Sequence, residues 1–420
     1  MKKTAKMTIC LVLAAMLAFS CVSCAVGIKA KELSEGYKRT ADEVGAVDTE
    51  FIRSVAGFSM KLSAGCFGER GKNSLVSPLS AILCLGMIAN GTNGETRAQI
   101  EKALGCDTDT LSKNLFALTE SLYSSDKCRV QTANSLWIKN DGSISVKDSF
   151  LQSNADWYGS QVYKAPFDNT TVNDINSWCK KQTDGMIDSI IREIPADTLM
   201  YLVNALMFDA EWAEKYEKTD IREHSFTGYS GKTGSVQMLF STESTYLTGD
   251  GVTGFAKDYH GGKYSFVGLL PDEGTDVYEL AASLDGEKWL SLWNSQYEER
   301  EPSVSVRAGI PEFSFDDSIK LNDVLIGMGM SNMFDAGLAD FSRLGSAGNG
   351  NLYCGSVQQK AFIKVDRNGT KAAAITWGDM KTGSAEPPQI VDIFLDRPFI
   401  YAIVDNATGI PLFVGITAEI

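Results

Sequence analysis

His224 and His260 are the only histidines in the 420-residue chain, so any imidazole acid–base or nucleophile-activating chemistry must pass through one of them. Neither stands in a two-histidine spacing such as H-E-x-x-H, so no histidine-built metal centre is expected. The chain also lacks a G-x-x-x-x-G-K-[ST] phosphate loop and a G-x-S-x-G nucleophile elbow. Six cysteines lie beyond the N-terminal leader: Cys66, Cys84, Cys106, Cys128, Cys179 and Cys354. Scattered without a C-x-x-C pair, they read as small buried apolar groups, with room for at most one bridge. These residues point to no enzyme, no cofactor and no metal.

Chemistry of another kind is suggested by GTKAAAITWGDMKTGSAEPPQ (369–389), which lies between two clear strand patterns. A connection of that length inside an ordered domain is usually functional. Read with period two, Thr370, Ala372, Ala374, Thr376 and Gly378 form one small face. Lys371, Ala373, Ile375, Trp377 and Asp379 form a larger one. A ribbon with one small face can slide into a close-packed sheet. The competing reading is a plain exposed loop.

The elements around it begin with a leader. MKKTAK, an apolar stretch over 7–19 and the exit SCVSC make residues 1–24 an export signal. The apolar stretch is too short to span a bilayer, which takes about 20 apolar residues. Cys21 and Cys24 each follow a small residue, as in a bacterial lipobox; either is a candidate for lipidation, with plain cleavage as the alternative. The protein is thus expected to be exported, lipid-anchored on a bacterial cell surface or secreted, with no transmembrane helix. Residues 25–48 are polar and read as a tether. Net charge is −14, and −17 once Lys2, Lys3 and Lys6 are removed. That balance excludes a nucleic-acid partner.

From residue 49 onward the patterns give helices over 51–67, 96–104 and 111–123, a short strand, a turn at Pro78 and a buried helix closed by Gly91 over 73–91, helix then loop over 175–187, and strands over 130–139 and 198–212. The apolar 198–212 segment reads as a strand buried on both faces. The second half is strand-rich, with one helix expected over 319–330. No repeat, low-complexity tract or Pro/Ser linker divides 49–420, so a single large α+β domain with a helix-rich first half is expected.

These segments resemble the serpins, serine protease inhibitors, over about residues 50–420. NSLVSPLSAILCLGMIANGTNGETRAQI (73–100) is similar to the family's strand and helix beneath the central sheet. Asn73, Ser77, Pro78 and Ser80 there match polar shutter positions. INSWCKKQTDGMI matches N-x-W-x-x-x-x-T-x-G-x-I through Asn176, Trp178, Thr183, Gly185 and Ile187. LVNALMFDAEW supplies Asn204 as a shutter residue and Trp212 as the breach tryptophan. DRPFIYAIVDNATGIPLFVGITAEI matches the C-terminal signature through Pro398, Phe399, Pro411, Leu412, Phe413 and Gly415.

The resemblance implies a serpin fold, with a central mixed β-sheet, smaller sheets and an exposed reactive-centre loop over about 367–389. Arg367, Asn368, Gly369, Thr370, Lys371, Ala372, Ala373, Ala374, Ile375 and Thr376 then form the hinge. Arg367 departs from the usual Glu, Ile375 from a small residue, and Gln359 stands where His is common at the shutter. The implied activity is suicide inhibition of a serine protease: the loop is cut, an acyl-enzyme forms, and the hinge enters the central sheet. Counting along the loop puts the reactive bond after Gly383 or Ser384, which suits elastase-like or subtilisin-like proteases. Ala385, Thr382, Met380 and Lys381 are the alternatives, Lys381 suiting a trypsin-like enzyme. A non-inhibitory serpin, acting as substrate or surface binder, is the other reading; a monomer is expected. Asn90, Asn169, Asn368 and Asn406 begin N-x-[ST] triplets, and a glycan on Asn368 would obstruct the hinge, which favours an unglycosylated bacterial product.

Overall fold

The computed structural model describes residues 27–41, 45–122, 125–195, 198–348, 351–369 and 387–420. The leader, with Cys21 and Cys24, lies outside the described residues. So do Thr370 to Thr376 of the hinge and every reactive-bond candidate, Met380, Lys381, Thr382, Gly383, Ser384 and Ala385.

Local signals account for the first helices. Thr49–Cys66 is capped by Asp48, whose carboxylate accepts from the main-chain N–H of Glu50 and Phe51. Its inward face carries Phe51, Val55, Phe58 and Leu62, the spacing of a helix face. Pro78–Ala89 starts on a proline behind Ser77, whose hydroxyl accepts from Ser80 N–H. Every residue of that helix is buried, so it runs through the middle of the core.

The central sheet has six strands in the order Lys31–Glu32, Gln161–Ala165, Cys128–Lys139, Met200–Ala210, Ser356–Val365 and Phe313–Lys320. It is mixed: Met200–Ala210 pairs antiparallel with Cys128–Lys139 and parallel with Ser356–Val365. Met200–Ala210 is buried along its whole length, as its apolar run predicts. Its side chains alternate between two cores. Leu202, Leu206 and Phe208 join the large core that holds helix Pro78–Ala89. Tyr201, Val203 and Ala205 join a smaller one with Ile175, Trp178 and Ile187, under helix Asn169–Gln182. A second six-stranded sheet runs Ser74–Val76, Pro411–Thr417, Phe399–Asp405, Tyr264–Pro271, Val252–Asp258 and Thr245–Gly249. A third, of four strands, runs Gln389–Phe394, Val304–Pro311, Thr233–Glu243 and Ile221–Thr227.

Two local readings change. The helix expected over 319–330 shrinks to Asn322–Gly327, because Phe313–Lys320 alternates half-buried and exposed along its length and forms an edge strand. Within the segment read as a tether, Lys31–Glu32 adds an edge strand to the central sheet, and the buried Asp174 carboxylate accepts from Lys29 N–H and Ala30 N–H at 3.0 and 2.7 Å. The segment GDGVTG (249–254) has the spacing G-x-G-x-x-G but turns between two antiparallel strands, so no helix N-terminus follows to hold a phosphate. All six described cysteines are free thiols. Among the described residues no group of acidic, cysteine and histidine side chains is placed to hold a metal, and no helix is long and apolar enough to cross a membrane.

Candidate functional site

The site is the seam between Met200–Ala210 and Ser356–Val365. Their parallel ladder joins Ser356 to Tyr201 and continues only as far as Lys360 and Ala205. Above that, among the described residues, 206–210 and 361–365 share no ladder, although both belong to ordered strands paired on their outer sides. The sheet is closed at one end and parted at the other.

Buried polar side chains hold the closed end. Gln359 and Ser77 bond reciprocally: Ser77 N–H donates to Gln359 Oε1 at 2.8 Å, and Gln359 Nε2 donates to Ser77 O at 2.8 Å. Ser77 Oγ also donates to Leu412 O at 2.7 Å, linking the central sheet to the second one through the core helix. Beside Gln359 in register lies Asn204, whose Nδ2 donates to Asn134 Oδ1. Gln359, Ser77 and Asn204 are 3%, 1% and 2% exposed, so each lost partner would leave a dry polar atom. Two such atoms exist: Asn204 Oδ1 and Ser80 Oγ have no hydrogen-bond partner among the described residues. Ser80 reaches the group only through its main-chain N–H, 3.4 Å from Ser77 Oγ. Asn73 stands apart from it: its side chain clamps the C-terminus, donating to Glu419 O and accepting from Ala418 N–H and Glu419 N–H.

The parted end is bounded by Trp212, 1% exposed. Its indole stacks on Tyr259 with ring centroids 4.6 Å apart and 8° between planes, and its Nε1 donates to Asp366 O at 2.9 Å. Lys257, buried nearby, pairs with Glu243 at 2.9 Å and lies 4.7 Å from the Tyr216 ring centroid. Here the hinge begins. Asp366 and Gly369 exchange main-chain hydrogen bonds of 3.1 Å around a two-residue turn, Arg367-Asn368. Gly369 then pairs antiparallel with Glu211. Its φ is +118°, and a Cβ there would lie 2.3 Å from Ala210 O, so only glycine fits. The unusual Arg367 is held by Glu312, which accepts from Arg367 N–H at 3.2 Å and from its Nε at 3.4 Å.

The turn reverses the chain, so Gly369 runs antiparallel to both strands that flank the gap. Its neighbours Asp366 and Glu211 also keep the offset that pairs Ser356 with Tyr201. Gly369 therefore occupies the first row of the gap, in step with both flanking strands. Of the expected site residues, the structure brings Ser77, Gln359 and Asn204 together at one end and Trp212, Arg367, Asn368 and Gly369 at the other.

The W-x-x-x-x-T pattern serves the helix above the seam. Trp178 Nε1 donates to Gln161 Oε1 at 2.6 Å, Asn176 Oδ1 accepts from Ile190 N–H and Ile191 N–H, and Thr183 Oγ1 accepts from Ile187 N–H. Sequence reasoning missed Asn134, Tyr259 and Glu312. Asn134 had a signal: it shares period-two parity with Leu136 and Ile138, a lone amide on a core-facing strand side.

Comparison with known proteins agrees with this architecture. A family model described as "Serpin (serine protease inhibitor)" matches residues 53–420. The chain is 29% identical to glia-derived nexin of Homo sapiens, over 82% of this chain and 86% of that protein. It is 29% identical to leukocyte elastase inhibitor A of Rattus norvegicus, over 82% and 92%. The solved native state of the thermophilic serpin tengpin superposes with a TM-score of 0.87 at 39% identity, covering 94% of this chain and 100% of that one. Its latent state gives 0.78 at the same identity, covering 90% and 100%. From residue 53 to its C-terminus, the chain belongs to the serpin family of serine protease inhibitors.

Proposed function

We propose that this serpin is a suicide inhibitor of elastase-like or subtilisin-like serine proteases, with Gly383 or Ser384 offered to the protease's specificity pocket. The protease serine Oγ attacks the carbonyl carbon of that residue. The C–N bond to the next residue breaks, its amine leaves protonated, and an ester joins inhibitor and protease. The freed hinge then adds strand rows below Gly369 and carries the ester across the sheet before water cleaves it. The observation that carries this reading is the parted seam with Gly369 already in its first row. Support also comes from the closer superposition on a native than on a latent relative, and from a relative named as a leukocyte elastase inhibitor.

The protein acts as a monomer, exported from a bacterium and held at the cell surface by a lipidated Cys21 or Cys24, or secreted. Incubation with elastase, subtilisin and trypsin, followed by denaturing electrophoresis, tests the activity. A protease-linked band that survives SDS with the first two supports the reading. Simple loop cleavage by all three, without such a band, overturns it in favour of a non-inhibitory serpin. Sequencing of the released fragment distinguishes Gly383 and Ser384 from Lys381.

A further inference from the structure

A cavity of about 620 Å³ opens between one face of the third sheet and residues 214–216, just after Trp212. We propose that it binds a small organic anion, a molecule with an oxyanion head on a flat apolar body. None of its lining residues belongs to the hinge or to the buried polar group at the closed end of the seam, and the proposal does not rest on protease inhibition.

The carboxylates at this cavity already have donors, with one exception. Arg307 Nε and Nη2 donate to the two oxygens of Asp392 at 2.5 Å each. Asp220 Oδ2 accepts from Glu217 N–H at 2.8 Å. Glu243, behind the wall, accepts from Lys257 Nζ at 2.9 Å and Ser241 Oγ at 2.6 Å. Glu214 is the exception, exposed at the rim. The cations are less well served. Arg222 lies with its guanidinium carbon 4.6 Å from the Phe240 ring centroid and has no hydrogen-bond or carboxylate partner among the described residues. Lys215 Nζ lies 3.2 Å from Glu211 Oε2 but makes no hydrogen bond among the described residues. Lys257 is buried and donates one hydrogen bond, to Glu243. A guanidinium carries five N–H donors and an ammonium three, so donors outnumber acceptors here. A ligand oxyanion supplies the missing acceptors. It meets the exposed Arg222 directly, and rotation of the Lys215 stem away from Glu211 brings in a second cation.

The apolar part of the ligand has its own wall. Phe240 and Phe394 present rings with centroids 5.5 Å apart and 81° between planes. Gly309 stands between them in register, so no side chain fills the row from the middle strand. A flat body laid on these rings keeps its head at Arg222, the cation stacked on Phe240. The volume lies within the roughly 300–1,000 Å³ common for small-molecule sites. A bare inorganic anion would use the cations and leave both rings wet. A cationic ligand would meet Arg222, Lys215 and Lys257 with only Glu214 unengaged. Tyr216, on the opposite wall, packs edge-on against Trp212 with centroids 6.3 Å apart, so occupancy is felt at that indole.

The test titrates the uncut full-length protein with phenyl phosphate, benzoate and inorganic phosphate by calorimetry. One of the two aromatic probes should bind at least about tenfold more tightly than inorganic phosphate, and the tighter one identifies the head group. Arg222→Met changes an exposed side chain, so the fold is kept, and it should weaken that binding about tenfold, the value of one charge-assisted hydrogen bond. Lys215→Met should act in the same direction. Lys232→Met, which removes a cation from the hairpin at the far end of the third sheet, should change nothing. Absence of heat with all three probes at about 5 mM, or equal binding by Arg222→Met and the wild type, overturns the proposal. Inorganic phosphate binding as tightly as both aromatic probes overturns the apolar subsite. Binding is read without a protease, so a failure of inhibition leaves this result standing.

Discussion

Trp212 Nε1 donates to the main-chain oxygen of Asp366 across 2.9 Å, joining the ends of two central strands at a level where no ladder joins them. A side chain thus holds the mouth of the seam while the rows beneath stay parted. The bond runs to the residue that opens the Arg367-Asn368 turn, so the indole also fixes where the chain reverses.

Trp212→Phe keeps a ring against Tyr259 and removes the donor. The uncut protein should lose about 1–2 kcal/mol, the value of one buried hydrogen bond with some lost packing. Denaturant unfolding of cut and uncut forms checks this. The loss should be larger in the uncut form, because the proposed insertion adds strand rows below Gly369 only after the cut.

Gln359→Leu removes an acceptor and a donor from Ser77 at once and leaves its buried N–H and C=O without those partners. A cost of about 2–5 kcal/mol is expected. The measurement is equilibrium unfolding at constant pH; a change below about 0.5 kcal/mol would mean that other groups satisfy Ser77.

Gly369→Ala places a methyl against Ala210 O and requires a residue with a side chain at φ +118°. The first row should be vacated, destabilising the uncut form by about 1–3 kcal/mol. It should also raise the amount of inhibitor consumed per protease trapped. Titration of a fixed amount of protease reads that number directly.

Burial raises the Asp317 carboxyl above its usual range, although its Oδ2 accepts from Leu75 N–H at 3.2 Å. A raised folded value means that this group's contribution is fully present below the unfolded value and fades as pH climbs through the folded one. Asp317→Asn keeps an acceptor for Leu75 and has no charge to bury. It should match the wild type below about pH 4 and exceed it in stability near pH 7. Unfolding midpoints across that range test the sign; a variant weaker at neutral pH would refute it.

Much of the architecture could be read from the residues because single strands and helices carry their own periodicity. The unbroken apolar run around Asn204 announced a strand buried on both faces, and Ser77-Pro78 announced a helix start. Phe313–Lys320 was missed because Ile319 and Lys320 were read with the apolar run that follows, although the strand's own residues alternate with period two. The shutter partners were harder. Gln359 could be placed by resemblance, but its reciprocal bonds to Ser77 join residues far apart in the chain, and nothing local encodes them. Glu312 was invisible for the same reason: its role exists only because Arg367 is brought to it by a turn.

That turn also limits how the hinge can change over evolutionary time. With only Arg367 and Asn368 between Asp366 and Gly369, the turn itself has no slack to absorb an inserted or deleted residue. If the loop enters the sheet as proposed, a one-residue indel between Gly369 and the bait would reverse the parity of the remaining hinge. On that mechanism, substitutions in the bait meet new proteases without disturbing the sheet, whereas the residue count leading to it changes in steps of two.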